Sequence, residues 1–401
     1  MNIFFKAYCR LYQLLLKLSI PFLPYRTPKI LNSYNDISLI LKKNNLNNIF
    51  IVTGPNIYKK GLLNELENNL KQNNINYYIF NKTESNPTIN NVLEAKKEYI
   101  DNKCSAIIAF GGGSPMDLAK ILGASIVTNK PINKMKGLLK IRKKLPLLIA
   151  IPTTAGSGSE TTLAAVITDD NHIKYAINDF CLIPKYVLLD YKLTLSLPKN
   201  ITSTTGMDAL THALEAYIGK SLTNETKMFS LKAIELILNN IYNSYQFNDE
   251  EAKNNMLVAS FYAGCAFTKS YVGYVHALAH AIGGKYNLPH GLLNAIILPK
   301  VLIKYDKYIY KKIAFISKNN NIASENDNNK IAFNKFINYI LELNKKMNIP
   351  TKINELDEND IHYLATLAFN EANPLYPVPK LFSIDDLEDI LKDCNRVESE
   401  K

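Results

Sequence analysis

The chain has 401 residues, a hydrophobic fraction of 47% and a mean hydropathy of −0.10, which are ordinary values for a globular protein with a sizeable core. Five cysteines without a C-x-x-C pair exclude a disulfide framework and a cysteine-built zinc site, and fit a reducing cytoplasm. The net charge of +11 comes from lysines scattered among asparagines, without the aromatics or reader helix of a nucleic-acid-binding protein.

The first 28 residues are largely apolar, but Lys6, Arg10 and Lys17 interrupt them, so no uncharged stretch reaches the roughly 18 to 20 residues of a membrane span. They also lack the small-residue cleavage site of a signal peptide. Four residues recur at helical spacing: Tyr8, Tyr12, Leu15 and Leu16. We therefore expect an amphipathic helix, ended by Pro21 and Pro24, that packs on the body or on a second subunit. Peripheral membrane contact is the alternative.

Between residues 31 and 195, short apolar runs alternate with more polar segments that have a helical pattern of apolar residues. The runs are 48–53, 75–80, 105–110, 147–151, 163–168 and 186–190. This alternation predicts a parallel sheet with helical crossovers. After Pro198 the chain consists of long segments in which apolar residues recur with the period of a helix. We therefore expect three parts: an N-terminal helical extension over 1–30, an α/β domain over 31–195 and an all-helical domain over 196–401.

A glycine-rich turn follows the third of these runs. Gly111, Gly112 and Gly113 end the strand, and Ser114 is placed to cap a helix that carries Asp117 in its first turn. Glycines let backbone N–H groups approach an oxyanion, and the helix N-terminus attracts it. The turn is neither G-x-G-x-x-G nor a P-loop. A plain tight turn is the alternative to phosphate binding.

A second small-residue loop, IPTTAGSGSE, follows the next run. Thr153, Thr154 and Ser157 offer hydroxyl groups at the carboxyl end of a strand, where ligands of open α/β sheets collect. Two such loops on successive strands predict dinucleotide binding.

The helical half contains a cluster of histidines with one carboxylate. Asp208 and His212 are four residues apart, His276 and His280 repeat that spacing, and His290 follows shortly after. Residues four apart share a helix face, so facing helices can assemble a divalent-metal site from them. Each histidine alone could be a satisfied core residue, and spacing nominates all five residues equally. The other two histidines, His172 and His362, are predicted to lie on the surface.

These strings match a known family. GGGSPMDLAK, PTTAGSGSE, GMDALTHALEAY and HALAHAIGGKYNLPHGLLNAIILP resemble, in order and spacing, the iron-containing (group III) alcohol dehydrogenases, over nearly the whole chain. The N-terminal helix resembles an extension in one bacterial branch. The resemblance implies a Rossmann-like α/β lobe, an all-α lobe, an active site in the cleft between them, and a hydride transfer between NAD(P) and a primary alcohol or aldehyde.

The resemblance also implies a role for each of the site residues. It assigns the metal, expected as Fe²⁺ although Zn²⁺ suits the same donors, to four ligands: Asp208, His212, His276 and His290. It gives proton transfer to His280. The cofactor contacts it implies are Gly112, Gly113, Ser114, Thr153, Thr154 and Lys174, with Leu189 behind the adenine or ribose. Phe267, together with Tyr376, is expected to line the substrate pocket.

One departure bears on the cofactor. Members selective for NAD commonly carry an Asp after the first strand, where this chain has Gly54. Without that carboxylate a 2′-phosphate is not repelled, and Lys59 and Lys60 follow closely, so we expect NADP(H) rather than NAD(H). The Asn that often follows the GSGSE loop is also replaced, by Ala164.

Three other classes of protein fit these residues less well. A lyase of the dehydroquinate-synthase type would need Lys and Arg around a phosphate. The sequence around the candidate metal ligands instead contains Ala, Leu, Gly and Phe. A non-catalytic assembly protein would not need all five site residues, and a metal-independent reductase would not need the ligands. We expect a cytoplasmic homodimer or larger homo-oligomer with a small alcohol or aldehyde substrate, no nucleic acid and no stable membrane insertion.

Overall fold

The computed structural model describes residues 1–169 and 174–395, and His172 lies outside them. The chain divides into two compact units. The α/β unit is Pro24–Ser196, and the helical unit joins Met1–Leu23, which contains helix α1 (Ile3–Ser19), to the chain from Leu197 onward. The first helix therefore belongs with the last part of the chain.

The α/β unit is built on a six-stranded, wholly parallel sheet. Among the described residues of the unit, the strands are β1 (Lys29–Leu31), β2 (Asn48–Val52), β3 (Asn76–Phe80), β4 (Ala106–Gly111), β5 (Gly137–Leu138), β6 (Leu147–Pro152), β7 (Ala164–Thr168), β8 (Lys174–Asn178) and β9 (Tyr186–Leu188). The order in the main sheet is β1-β9-β6-β4-β2-β3, which puts β4 and β6 side by side at its centre. Their residues pair from Ala106 with Leu147 to Gly111 with Pro152, so both strands end at the same edge.

Helices connect these strands and cover the sheet. They are α2 (Tyr34–Lys43), α3 (Pro55–Lys59), α4 (Asn64–Gln72), α5 (Ile89–Asp101) and α6 (Gly113–Val127). Central strands carry β-branched and aromatic residues because both faces are buried. One face of the sheet, with Ile49, Ile108 and Ile149, packs against Leu66 and Leu70 of α4. Helix α6 is buried along nearly its whole length.

A small second sheet changes one prediction. The run 163–168 was expected in the parallel sheet, but β7 pairs antiparallel with β8, and β8 pairs with β5. Burial alternates along β7, with Ala165 and Ile167 inside and Val166 exposed, which is the pattern of a strand covered on one face. The prediction placed this segment in the wrong sheet.

The helical unit confirms the predicted change of character after Pro198. Its further helices are α7 (Lys199–Ile218), α8 (Asn224–Gln246), α9 (Glu250–Ser270), α10 (Tyr274–Tyr286), α11 (His290–Tyr305), α12 (Tyr310–Asn319), α13 (Asn329–Lys346), α14 (Ile361–Ala372) and α15 (Ile384–Asn395). Helix α7 packs against α8, α9 and α11, while α10 packs against α11 and α14. From Gly206 to Ile218 every residue of α7 is buried, so this helix is the centre of the unit. The fold class, a parallel α/β region followed by a helical region, is confirmed.

Helix α1 forms as expected and packs on the body of the helical unit. Its inner face carries the buried residues Cys9 and Gln13. Tyr8 and Leu15, expected on the packing face, are instead more than half exposed. The apolar residues surround much of this helix, so spacing alone could not say which side faces inward. No described helix is long and apolar enough to cross a bilayer.

Candidate active site

The helical unit brings together four of the five predicted residues. Asp208 and His212 lie one turn apart on α7, His276 lies in the first turn of α10, and His290 is the first residue of α11. One ligand atom from each residue lies within 4.8 Å of the other three. Asp208, His212 and His276 are buried. Four donors at about 2.1 Å from one ion lie about 3.4 Å apart, so this cluster has the size of a single-metal site.

The electrostatics of the cluster also suit a cation. The Nε2 atoms of His276 and His290 lie 3.8 and 3.5 Å from Oδ1 of Asp208. Burial lowers the pKa of His276 well below its ordinary value, and the neighbouring imidazoles act in the same direction. Burial likewise lowers the pKa of His290 to about 4, although Asp208 opposes the shift. Both imidazoles are therefore neutral at pH 7, the form that binds metals. Three imidazoles and one carboxylate fit a divalent ion.

Glu215 orients one of these imidazoles, and the sequence did not suggest it. Its Oε2 lies 2.6 Å from Nδ1 of His276, which turns Nε2 of that ring towards Asp208. The carboxylate also accepts from the backbone N–H groups of Gly273 and Val275, each at 2.8 Å. Burial raises the pKa of Glu215 to about 7, against those donors. A Cβ on Gly273 would lie 2.7 Å from Oε1, so the close approach depends on glycine. The available signal was a lone acidic residue three positions after His212.

Asn294 is a second residue that sequence reasoning missed. It lies one turn after His290 on α11, and its Nδ2 donates to Oδ1 of Asp208 at 2.6 Å. The same nitrogen lies 3.2 Å from Nε2 of His276 and 3.1 Å from Nε2 of His290. The residue is fully buried. An amide here holds the carboxylate of Asp208 in place at the centre of the cluster. The signal was its spacing of four from His290.

His280 stands apart from the cluster of four. Its ring stacks on that of His290 at 5.1 Å, but its Nδ1 lies 2.7 Å from Oε1 of Glu371. The hydroxyl of Tyr376 donates to the same oxygen at 2.7 Å. Desolvation opposes the charged imidazole, yet Glu371 raises the pKa of His280 above its ordinary value. The geometry thus separates His280 from the other three histidines, a distinction that spacing left open.

The two predicted pocket residues lie near these groups. Phe267 of α9 stacks on the ring of His212, with centroids 4.0 Å apart and an angle of 12° between planes. Tyr376 is buried and its hydroxyl is engaged by Glu371. Their contact with a substrate stays a prediction. His362, predicted on the surface, is exposed and binds Glu388.

In the α/β unit, the two predicted loops lie side by side at the carboxyl ends of β4 and β6. Gly111 has a φ of +155°, and a Cβ there would lie 2.5 Å from Pro115, so only glycine fits. A Cβ on Gly112 would lie 3.3 Å from Oγ1 of Thr154, and one on Gly113 would lie 3.8 Å from Oγ of Ser157. The glycines therefore leave a concave backbone facing hydroxyl groups, which suits an oxyanion.

The helix after this turn begins two residues before its predicted start. Gly112 occupies the N-cap position of α6, where Ser114 was expected. The hydroxyl of Ser114 donates instead to the carbonyl of Ser85. Pro115 falls in the first turn, where its missing N–H costs nothing. The two N-terminal glycines thus leave the amide groups at the start of α6 uncovered.

Asp117 and Lys120 connect the two loops. Asp117 accepts from Oγ of Ser159 at 3.0 Å and from the N–H of Val166 at 3.1 Å. Lys120, which the sequence did not nominate, is fully buried, and its Nζ donates to Thr162 O and Oγ1, each at 2.9 Å. Burial raises the pKa of Asp117 to about 6, and burial lowers that of Lys120 to about 8. Both residues hold the second loop against α6, and a contact of Asp117 with the cofactor stays a prediction.

The remaining predicted cofactor residues occupy different places. Gly54 follows β2 and caps α3, and Leu189 follows β9, so both lie at the sheet edge that carries the two loops. Lys174 begins β8 of the small sheet, opposite Thr168, and its side chain is exposed. Burial of part of its side chain lowers its pKa.

Comparison with known proteins identifies the same two regions. Residues 31–191 match the family described as iron-containing alcohol dehydrogenase, and residues 202–395 match the C-terminal region of the Fe-containing alcohol dehydrogenase family. The NAD-dependent methanol dehydrogenase of Bacillus methanolicus is 31% identical over 90% of this chain and 95% of its own length. The NADPH-dependent butanol dehydrogenase of Clostridium saccharobutylicum is 34% identical, over 77% and 79%. A crystal structure of 1,3-propanediol oxidoreductase superposes with a TM-score of 0.88 at 29% identity, covering 92% of this chain and 98% of the other.

Proposed function

The chain belongs to the iron-containing alcohol dehydrogenase family, and from that membership we propose that it reduces a primary aldehyde to its alcohol with NADPH, and catalyses the reverse reaction. The observation that carries the proposal is the cluster of one carboxylate and three imidazoles on three helices, of which all but His290 are buried. It provides a site for a divalent ion in surroundings lined by apolar side chains.

The ion would be held by Asp208, His212, His276 and His290, and Fe²⁺ is proposed because of the family, since the donor set also suits Zn²⁺. A bound divalent ion supplies Lewis-acid stabilisation of negative charge on the alcohol oxygen. Two neighbouring residues orient the ligands by hydrogen bonds: Glu215 fixes the orientation of His276, and Asn294 holds the carboxylate of Asp208. Phe267 restricts the ring of His212 by stacking.

His280 is proposed to carry the proton between the alcohol oxygen and solvent. Because Glu371 engages its Nδ1, the Nε2 atom is left to exchange a proton with the substrate. Tyr376 donates to the same carboxylate oxygen and so keeps Glu371 in position. The side chain of His280 is 45% exposed, which leaves a route for the proton to water.

The cofactor is proposed to bind at the two loops of the α/β unit. The backbone of Gly112 and Gly113 and the start of α6 would hold the pyrophosphate, because free N–H groups and the helix dipole favour an anion there. Thr153, Thr154 and Ser157 would add contacts from the second loop. Asp117 and Lys120 act by keeping the two loops together.

A reconstitution assay tests the reaction. The purified chain is stripped of metal with a chelator, reloaded with Fe²⁺ or Zn²⁺, and mixed with butanal while NADPH oxidation is followed by absorbance. Turnover that depends on the metal is expected. A chain that turns over no aldehyde, with either metal and either nicotinamide cofactor, would contradict the proposed function.

The preference for NADPH rests on Gly54. Relatives include both an NAD-dependent and an NADPH-dependent enzyme, so membership does not decide between the two. A Cβ at Gly54 would meet nothing within 4 Å, so Gly54→Asp can add a carboxylate without steric conflict. We expect the ratio of kcat/KM for NADP to that for NAD to fall by about tenfold or more, since like charges repel. An unchanged ratio would refute the argument.

The lysines that follow offer a matched test of the same preference. Lys59→Ala/Lys60→Ala should lower the NADP-to-NAD ratio, because a 2′-phosphate loses its attracting charges. Lys42→Ala/Lys43→Ala removes two other exposed lysines of the α/β unit and should leave the ratio unchanged.

A further inference from the structure

Helix α1 turns an uninterrupted apolar face to solvent. Phe4 is 79% exposed, Leu18 59% and Phe22, just beyond the helix, 88%. Five further exposed side chains lie on the same side of the helix. Together with Phe4, Leu18 and Phe22 they form what we call the α1 apolar face: Ile3, Tyr8, Leu11, Leu14 and Leu15. Scattered exposed leucines need no explanation, but a contiguous patch of large apolar residues on one helix marks a contact surface.

This face belongs to a helix that is firmly attached. On the opposite side, Arg10 donates to the carbonyl groups of Val378 and Pro379, at 2.7 and 3.1 Å. Gln13 donates to the carbonyl of Tyr376 at 2.7 Å, and Phe5 stacks on Phe369. With its inner side occupied in this way, α1 presents the apolar face in a fixed direction.

Positive charge flanks the α1 apolar face. Residues 1–23 contain no Asp or Glu, and Lys6 and Lys17 are exposed on α1 itself. Other elements of the helical unit add to this: Lys220 and Lys227 are exposed. Burial, together with the nearby charges of Lys17, Lys220 and Lys227, lowers the pKa of Lys312 to about 8, so these lysines lie close together.

The acidic residue nearest in sequence to these lysines is engaged elsewhere. Glu225, two positions before Lys227, accepts from Nζ of Lys269 with both oxygens at 2.8 Å. The patch therefore pairs a wide apolar stripe with flanking cations. This is the composition of helices that lie in the plane of a bilayer, with the apolar side among the acyl chains and the cations at the headgroups.

We propose that the α1 apolar face docks the enzyme peripherally onto the surface of an anionic lipid bilayer. A second copy of the chain is a poorer fit, because a symmetric contact of this patch with itself would bring two sets of lysines together without acidic partners from α1. An anionic lipid surface matches both the apolar and the charged parts. The helix lies on such a surface and does not cross it.

Vesicle flotation with the full chain tests the proposal. The protein is mixed with vesicles of phosphatidylcholine alone or with phosphatidylglycerol added, and the bound fraction is measured. We expect binding to the anionic vesicles only, weakened when salt is raised from about 0.1 M to about 1 M, where the Debye length shrinks from about 10 Å to about 3 Å.

Leu11→Glu/Leu15→Glu should reduce vesicle binding by about tenfold or more, because each carboxylate would enter a region of apolar chains and anionic headgroups. Leu39→Glu/Leu93→Glu is the matched control, since it places the same charges at exposed leucines of the α/β unit and should bind as the wild type does. Both variants alter exposed positions, and equal aldehyde reductase activity will confirm that both are folded.

Two results would overturn the proposal. One is absence of binding to anionic vesicles at low salt. The other is equal binding by Leu11→Glu/Leu15→Glu and the wild type. If light scattering shows that this variant halves the mass of the wild-type particle while neither form binds vesicles, the face belongs to a second copy of the chain instead.

Discussion

At the scale of single residues, the candidate metal centre includes a carboxylate, Glu215, that is not one of the four candidate ligands but contacts one of them. Glu215 binds Nδ1 of His276 and two backbone N–H groups. In Glu215→Gln one carboxylate oxygen becomes an NH2 group, which cannot accept a hydrogen bond from any of these three donors. The imidazole of His276 therefore loses its fixed orientation. Metal affinity should fall about 10- to 100-fold, measured by Zn²⁺ titration against a competing chelator. Unchanged affinity would show that His276 is oriented without Glu215.

His280 can be separated from the ligands by one substitution. His280→Ala should keep its metal content and lose about 100-fold or more in kcat, because only proton transfer is removed. His362→Ala is the control, since that histidine also pairs with a carboxylate, Glu388, at 2.7 Å but lies elsewhere on the surface. Loss of the metal from His280→Ala, measured by mass spectrometry of the eluted ion, would make His280 a ligand.

Glu160 makes the stability of the chain depend on pH. It is the last residue of the second loop and is buried, and burial raises its pKa from 4.5 to about 7, while Lys120 opposes the shift. The folded chain thus holds a proton that the unfolded chain releases near pH 4.5, so this contribution to stability is present below that pH and is lost as pH rises through 7. Glu160→Gln removes the dependence.

The test is urea unfolding of both proteins at pH 5 and pH 8. Relative to the wild type, Glu160→Gln should gain on the order of 2 kcal/mol in unfolding free energy between the two pH values. A difference that stays constant with pH would mean that Glu160 is ionised throughout.

At the scale of elements, the site requires α11 to approach α7 closely. A Cβ on Gly291 would lie 2.5 Å from the carbonyl oxygen of Thr204 and 3.4 Å from Cβ of Asp208. Gly291→Ala must therefore push the start of α11, with His290, away from Asp208. We expect a loss of about 1 to 3 kcal/mol in stability and weaker metal binding.

Gly284→Ala is the matched control for that change. It lies in α10, and a Cβ there would meet nothing within 4 Å, so alanine should stabilise the helix by up to about 1 kcal/mol. Urea unfolding and Zn²⁺ titration of the two variants separate the effect of close approach from that of glycine itself.

Most elements could be predicted because their signals are local. In buried strands such as β4 and long helices such as α7, the pattern of apolar residues that identifies the element lies within the element itself. Strands β1, β5 and β8 were not predicted, since the first two span three and two residues and β8 alternates like a surface segment. The sheet to which 163–168 belongs depends on its partner β8, which lies outside the segment itself.

The site shows the same division. Spacing nominated five residues, since Asp208 and His212, like His276 and His280, lie four apart on one helix face and His290 follows shortly after, and only the family resemblance singled out four of the five as ligands. Glu371 was missed, since it is 91 residues from His280 and follows no pattern with it. The assignment of His280 apart from the other histidines came from the family resemblance, and the geometry that agrees with it arises only when α10 and α14 pack together.

At the scale of the whole molecule, metal binding should stabilise the fold, because the ligands come from three helices that meet only in the native state. A ligand at 100 to 1000 times its Kd adds about 3 to 4 kcal/mol to the stability of the folded state. Removing the metal with EDTA should therefore lower the Tm of the wild type. His212→Ala/His276→Ala should melt at the same temperature with and without EDTA, and a shift in that variant would place the stabilising ion elsewhere.

The attachment of α1 to residues 369–379 has a consequence for biosynthesis. Its hydrogen bonds join positions more than 360 residues apart, so α1 leaves the ribosome long before the residues against which it packs. At about 5 to 20 residues per second, roughly 20 to 70 s pass while both sides of α1 remain uncovered. During that interval the nascent chain trails a basic, amphipathic helix, which makes α1 available to chaperones or lipid before the enzyme has a complete active site.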